Sequence, residues 1–388
     1  MSTRVKSRWL GLRKVWGGRW GRLGLALVLV CLSLLFGLRW FFFVGPFAEI
    51  QSGGLARVVD IHCHTAGIGA GGSGCFVSST MQASYKFRIY LKSFGVDLSQ
   101  LESEGDGLVI RRIAEGVKAS HEVDAAIVLA MDGVIGEDGR LDRSATEFYV
   151  PNEFVLEETS RYPNLFWGAS INPKRTNALE RLVWAHEQGA KVVKWLPSIQ
   201  LFDPGERRFL PFYQKLVELG MPLLTHAGQE RSFTHARDEY ADPERLTLAL
   251  ETGVMVIVAH IASTGEHEGE SDTLRVVRLM KDYPNLYSEI SSLTQVNKLG
   301  YLRKALTDEV FRGRLFYGTD YPLINTALVS PWFFPLQLEV ETMRRLSALP
   351  NPWDRDVGLK RALGVPREVF ERAGTVLMTA EDFELFAR

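Results

Sequence analysis

Eight short runs of apolar and β-branched residues recur between Arg57 and Thr319, each separated from the next by a longer polar or amphipathic stretch. They are Arg57–His62, Val123–Ala130, Leu165–Ile171, Lys191–Leu196, Met221–His226, Val254–His260, Leu286–Ile290 and Leu315–Thr319. Runs of this length read as buried strands, and the stretches between them, such as Leu108–Ser120, Thr176–Gln188, Pro243–Glu251 and Thr273–Asp282, carry helical periodicity. The third of these opens on an Asp242 cap followed by Pro243 in the first turn. A strand that is always followed by a helix returns the chain to the same end of the sheet, so the strands must run parallel. Eight such units predict an α/β chain closed as a (β/α)8 TIM barrel over residues 57–330, and argue against a sandwich or a bundle.

The chemistry-bearing residues fall where a barrel of this kind places its sites. Strand one ends in Asp60-Ile61-His62-Cys63-His64, and side chains two apart share a face, so His62 and His64 point the same way. His226 ends strand five, His260 ends strand six, and Asp320 follows strand eight. The intervals of 34 residues from His226 to His260 and 60 from there to Asp320 match one and two βα units. Four imidazoles and a carboxylate gathered at the C-terminal rim predict a site for a borderline-soft divalent metal ion. A histidine satisfied within the core accounts for one such residue and not for the set.

At these residues the sequence resembles the metal-dependent amidohydrolase superfamily, in its branch of aminocarboxymuconate semialdehyde decarboxylase-like proteins and related hydrolases. The resemblance runs from Arg57 to Pro322, through Asp-Ile-His-x-His, Leu-Thr-His-Ala-Gly, Val-Ala-His and Tyr-Gly-Thr-Asp-Tyr-Pro. It implies that His62, His64, His226 and Asp320 bind one zinc ion, that His260 is the catalytic partner working on the substrate, and that family members often form homodimers; Asp320 is also read as catalytic, accepting a proton while it coordinates. Zinc lowers the pKa of a coordinated water from 15.7 toward ~7, which supplies hydroxide at neutral pH. The expected reaction is hydrolysis of a C–N or C–O bond in a small molecule; non-oxidative decarboxylation uses the same cage, and a non-catalytic membrane-anchored binding protein is a third reading.

Further polar residues are candidates for substrate contact or for support behind the ligands. Lys194 ends strand four, where binuclear relatives carry a carboxylated lysine; a mononuclear site with Lys194 facing a substrate carboxylate is the expectation here. Arg231 and Gln229 follow His226 and are placed to meet an anion or to lie in a solvated loop. Glu289, on strand seven, is either a partner behind the site or a carboxylate held in the barrel core. His121, His186, His235 and His267 fall on helix ends or loops and are read as non-ligands.

Outside the barrel, residues 1–45 hold eight basic side chains and no acid, leaving 37 basic against 46 acidic residues beyond them. An acidic remainder gives a nucleic-acid backbone no attraction, so no nucleic-acid partner is expected. The basic arm 1–22 precedes an uncharged run from Leu23 to Leu38, and 23–44 is read as one transmembrane helix. Seven bases before it predict a cytoplasmic N-terminus, an inner-membrane location, and a catalytic domain on the periplasmic or extracytoplasmic side. A cleaved signal peptide is the rival reading. Residues 45–56 are a linker, 65–107 a glycine-rich lid or insertion, and 331–388 a helical extension packed on the barrel. Three cysteines, Cys31, Cys63 and Cys75, provide no disulfide framework.

Overall fold

The computed structural model describes residues 19–43 and 55–384. Most of the basic arm at 1–22 and of the linker at 45–56 lies outside the described residues.

The eight expected strands all form: β1 (Val59–His64), β2 (Ala125–Leu129), β3 (Leu165–Gly168), β4 (Val193–Trp195), β5 (Leu223–Thr225), β6 (Val256–Val258), β7 (Leu286–Glu289) and β8 (Leu315–Phe316). Each pairs in parallel with its sequential neighbour in two arcs, β1 to β3 and β4 to β8. A parallel bridge between Ala169 and Val193 joins the arcs at one seam, and one between Cys63 and Tyr321 joins them at the other. Ile61 N also donates to Tyr317 O at 3.4 Å across the second seam. The sheet is therefore closed, and the fold is a (β/α)8 barrel.

Alternation along the strands divides the core in two. Val59, Ile61, Ala125, Ile127, Leu129, Phe166, Val192, Leu224, Ile257 and Phe316 fill the barrel, while Ala126, Val128, Leu223, Val256 and Val258 pack against the helices. The helix Gly107–Lys118 shows why: Leu108, Val109, Ile110, Ile113, Ala114 and Val117 make one buried stripe at helical spacing. Ala373 and Met378 join the interior cluster from the C-terminal segment. That segment binds strand starts, with Arg372 Nε on Leu315 O (2.8 Å) and Lys191 Nζ on Asp382. The bottom of the barrel is thus stoppered, and access is left to the opposite rim.

β1 departs from strict alternation. Asp60 is in register with Ala126 and Cys63 with Val128, so β1 carries one more residue than β2 between those points. Such a bulge reverses the phase of the strand. Val59 and Ile61 face the interior before it, and His62 and His64 face the same interior after it, while Cys63 turns to the helix side. Cys63 and Cys75 are both buried and free.

Residues 65–107 are largely helical, with Ser79–Ala83, Tyr85–Phe94 and Leu98–Glu104. The glycine-rich start wraps the Asp106 carboxylate, which accepts from Ile68 N (2.9 Å) and Gly69 N (2.8 Å). Gly69 has φ +95°, a left-handed conformation open to glycine. Tyr85–Phe94 lies across the rim, tied by Lys86 Nζ to Arg231 O and Phe233 O (both 2.7 Å) and by Asn325 Nδ2 to Ser93 O (2.9 Å). At the C-terminus, Trp353 stacks on Tyr321 and donates Nε1 to Asp60 Oδ2 at 2.9 Å.

The N-terminal helix runs from Arg19 to Phe43, and its side chains from Leu23 to Phe36 are exposed. Among the described residues no helix is long and apolar enough to cross a membrane, so the transmembrane span expected at 23–44 lacks structural support.

Candidate metal centre

Each candidate side chain projects from the C-terminal end of a strand, and local backbone geometry aims it inward. His260 (φ +55°), Ser292 (φ +57°) and Asp320 (φ +60°) are all left-handed non-glycine residues. Such conformations cost of order 1–3 kcal/mol each and persist where surrounding bonds over-determine them. Here the bonds are visible: His260 N donates to Glu289 Oε1 (2.9 Å) and Asp320 N to His62 O (2.9 Å). Asp60 fixes the approach of β8 to β1 by accepting from Thr319 N (2.9 Å), Thr319 Oγ1 (2.5 Å) and His62 N (3.1 Å).

Three donors meet at the floor of the rim. His62 Nε2 and His64 Nε2 are 3.1 Å apart, and Asp320 Oδ1 lies 3.3 Å from the latter and 3.7 Å from the former. The His260 ring stacks on that of His62 with centroids 5.1 Å apart, its Nε2 3.8 Å from Asp320 Oδ2. His260 Nδ1 meets Ser291 Oγ at 2.7 Å. His226 packs edge-on to His260 at 5.7 Å between centroids, and its buried Nε2 has no hydrogen-bond partner; Glu230 Oε2 stands 3.7 Å away. His226 is outside the tight grouping of His62, His64 and Asp320.

Burial sets the protonation of these groups. It pushes His62 down to about 3, with the Lys194 ammonium adding to the effect. It pushes His226 down to about 4 against the pull of Glu230. Both rings are neutral at pH 7, the form that offers a lone pair to a metal. Burial also opposes ionisation of Asp320 and Glu289, yet the facing imidazoles, His260 foremost, prevail and hold both carboxyls well below the usual range.

The donor set fits a divalent ion. Ligand atoms at ~2.1 Å from a common centre, at tetrahedral to octahedral angles, lie ~3.0–3.4 Å from one another. The His62–His64 and His64–Asp320 separations fall in that range. The unpartnered His226 Nε2 is a further nitrogen of the right type.

Lys194 is fully buried and lines the same cavity, its pKa pushed down to about 8 by burial against the carboxylates of Asp320, Glu289 and Glu230. Glu289 is buried behind the ligands, with Oε1 3.1 Å from His62 Nδ1. Arg231 is exposed at the edge, and its guanidinium is engaged by Gln229 Oε1 (3.0 and 2.6 Å). His267, expected in a solvated loop, is instead a brace between Asp272 Oδ1 (2.6 Å) and Asp238 O (3.1 Å). Sequence reasoning passed over Glu230, Lys298, Ser291 and Ser292, which come from loops with no strand pattern to place them. Ser292 Oγ donates to Asp320 Oδ2 at 2.5 Å.

The cavity above these groups measures about 260 Å³, with walls that include Met81, Phe87, Leu91, Phe94, Leu196 and Phe233.

A family model described as amidohydrolase matches residues 114–349, more than half of the chain, and takes in His226, His260, Glu289 and Asp320. No curated protein matches the sequence. Among solved structures, the chain is similar to an uncharacterised TIM-barrel protein from Bordetella bronchiseptica, at 14% identity over 86% of this chain and 100% of that one, with a TM-score of 0.49. It is similar to a candidate 2-pyrone-4,6-dicarboxylic acid hydrolase from Pseudomonas putida, at 13% identity over 85% and 97%, with a TM-score of 0.47. A third is 5-carboxyvanillate decarboxylase from Novosphingobium aromaticivorans, complexed with manganese and 4-hydroxy-3-methoxy-5-nitrobenzoic acid, at 12% identity over 86% and 99%, with a TM-score of 0.41. Identities at this level carry no information on substrate.

Proposed function

The chain belongs to the amidohydrolase family, and from that premise we propose that it is a metal-dependent hydrolase that cleaves a C–N or C–O bond of a small molecule with water. The observation that carries this reading is the convergence of His62 Nε2, His64 Nε2 and Asp320 Oδ1 within 4.8 Å of one another beneath a small cavity. His62, His64, His226 and Asp320 are the proposed ligands, and zinc the proposed ion. Such an ion supplies Lewis acidity and brings the pKa of water from 15.7 toward ~7.

The residues then divide the remaining work. Asp320 keeps its Oδ2 toward His260 and Ser292, so it can accept a proton while Oδ1 stays among the ligands. His260, fixed through Nδ1 by Ser291, presents Nε2 to the cavity, where it is placed to take a proton and, as the imidazolium, to donate a hydrogen bond to a developing oxyanion or protonate a leaving group. Lys194 holds the substrate from the strand-four side. The apolar walls exclude bulk water and strengthen each of these interactions.

Attachment of this enzyme to the inner membrane, with the barrel on the extracytoplasmic side, is proposed as well. Its support is the uncharged run 23–38 behind seven basic residues.

Elemental analysis of the purified full-length chain, with turnover assayed on esters, lactones, amides and hydroxybenzoates, tests the catalytic reading. One metal per chain and water-dependent cleavage are expected. Release of CO2 without consumption of water replaces hydrolysis by decarboxylation, and a metal-free, inactive protein overturns both.

A further inference from the structure

Lys298 has no part in the chemistry above, yet it is 8% exposed and lines the same cavity. It ends the short turn Val296–Lys298 after β7, and that turn is firmly held. Lys298 N donates to Gln295 O (2.9 Å), Val296 N to Leu328 O (2.9 Å), and Gln295 N to Ser292 O (3.0 Å). Gln295 Nε2 donates to Ser292 Oγ (2.8 Å), which donates onward to Asp320 Oδ2 (2.5 Å). The backbone beneath Lys298 is therefore linked by hydrogen bonds to the proposed metal ligand Asp320.

Its ammonium has no hydrogen-bond or ion-pair partner among the described residues, and neither has that of Lys194. Both lysines line the cavity, so an anion arriving from solution meets two charged donors that no protein group already occupies. Arg231 does not compete for the role, being exposed and occupied by Gln229. Both ammoniums lie near enough to the carboxylates of Asp320, Glu289 and Glu230 to feel their charge, and neither is bonded to them. Phe87, Leu91, Phe94, Leu196 and Phe233 line the same cavity and give an apolar body its contacts.

We propose that Lys298, together with Lys194, binds the anionic group of the substrate, and that the substrate is a small anion with an apolar body. This rests on the metal-dependent hydrolase reading of the same cavity. Benzoate and benzamide are matched probes that differ in charge, and their binding to the metal-loaded full-length protein is measured by calorimetry with the metal content determined in parallel. The wild type is expected to prefer benzoate by about tenfold or more, the range of a hydrogen bond to a charged group. Lys298→Met removes most of that preference and Lys298→Arg keeps it. Equal binding of the two probes, no binding of benzoate, or a preference that survives Lys298→Met overturns the assignment. Loss of metal from the wild type sinks the hydrolase reading instead, and leaves the charge preference to be read separately.

Discussion

Glu289 Oε1 lies 3.1 Å from His62 Nδ1, with Ser291 Oγ 3.3 Å from the same nitrogen, and the carboxylate contact sets the direction of the first imidazole in the site. The same oxygen accepts from His260 N (2.9 Å) and Ser291 Oγ (2.8 Å), while Oε2 accepts from Ser291 N (2.5 Å). A carboxylate so fixed holds the His62 proton on Nδ1, which leaves the Nε2 lone pair facing His64 and Asp320. Carboxylates behind a ligating histidine act in this way, orienting the ring and raising its basicity.

Replacing Glu289 by glutamine keeps the volume and removes the charge. Metal affinity is expected to fall about 10–100-fold, the usual effect of losing such a partner. Competition with a chelator of known affinity measures it. Wild-type affinity in Glu289→Gln would mean that something other than Glu289 orients His62.

His260→Asn separates catalysis from metal retention. His260 is not among the proposed ligands, although it also groups with His62 and Glu289, so the variant is expected to retain one metal per chain. Turnover is expected to drop ~10²–10⁴-fold, the contribution of a positioned proton donor. Loss of metal together with activity would make His260 a ligand.

The sequence made the strand-end residues legible because parallel strands deliver their C-termini to one rim, and a histidine at such an end has few other places to go. His62 and His64 were read correctly as sharing a face, but strict alternation with the interior residues Val59 and Ile61 would have put that face outside the barrel. The bulge between Asp60 and Cys63 resolves the conflict, and no residue type in Asp-Ile-His-Cys announces it. Lys298 and Glu230 were illegible for another reason. Their positions depend on how the turn Val296–Lys298 leans on Leu328 and how the loop after β5 folds toward the cavity, relationships that no periodicity records.

The C-terminal stopper gives the stability a pH dependence. Lys191 Nζ bonds both Asp382 oxygens (2.7 and 2.8 Å), and Thr379 N donates to the same carboxylate (2.7 Å). Burial opposes ionisation of Asp382, but the Lys191 contact and the Thr379 bonds outweigh it and lower the pKa below 3.8. A folded-state pKa below the unfolded one means that the stabilisation is present above the unfolded value and is lost as pH falls through the folded value. Asp382→Asn is therefore expected to lower the melting temperature at pH 7, with the gap to wild type closing as the pH falls below about 4. A gap that stays constant over that range would show that the charge of Asp382 does not contribute.

Gly318 carries a steric constraint beside the site. A Cβ at this position would lie 2.9 Å from Glu289 Oε2 and 3.0 Å from the Cβ of His62, with neither neighbour free to retreat. Glu289 is pinned by Ser291 and His260, and His62 by its strand. Gly318→Ala is expected to destabilise the protein by about 1–3 kcal/mol, as overpacking of a well-filled core does. Metal affinity should fall along with stability, because the displaced Glu289 no longer aims His62. Denaturant titration of the metal-free protein isolates the steric part, and chelator competition reads the rest. If Gly318→Ala binds metal as the wild type does, the Glu289–His62 contact tolerates displacement, and the role given to that carboxylate fails with it.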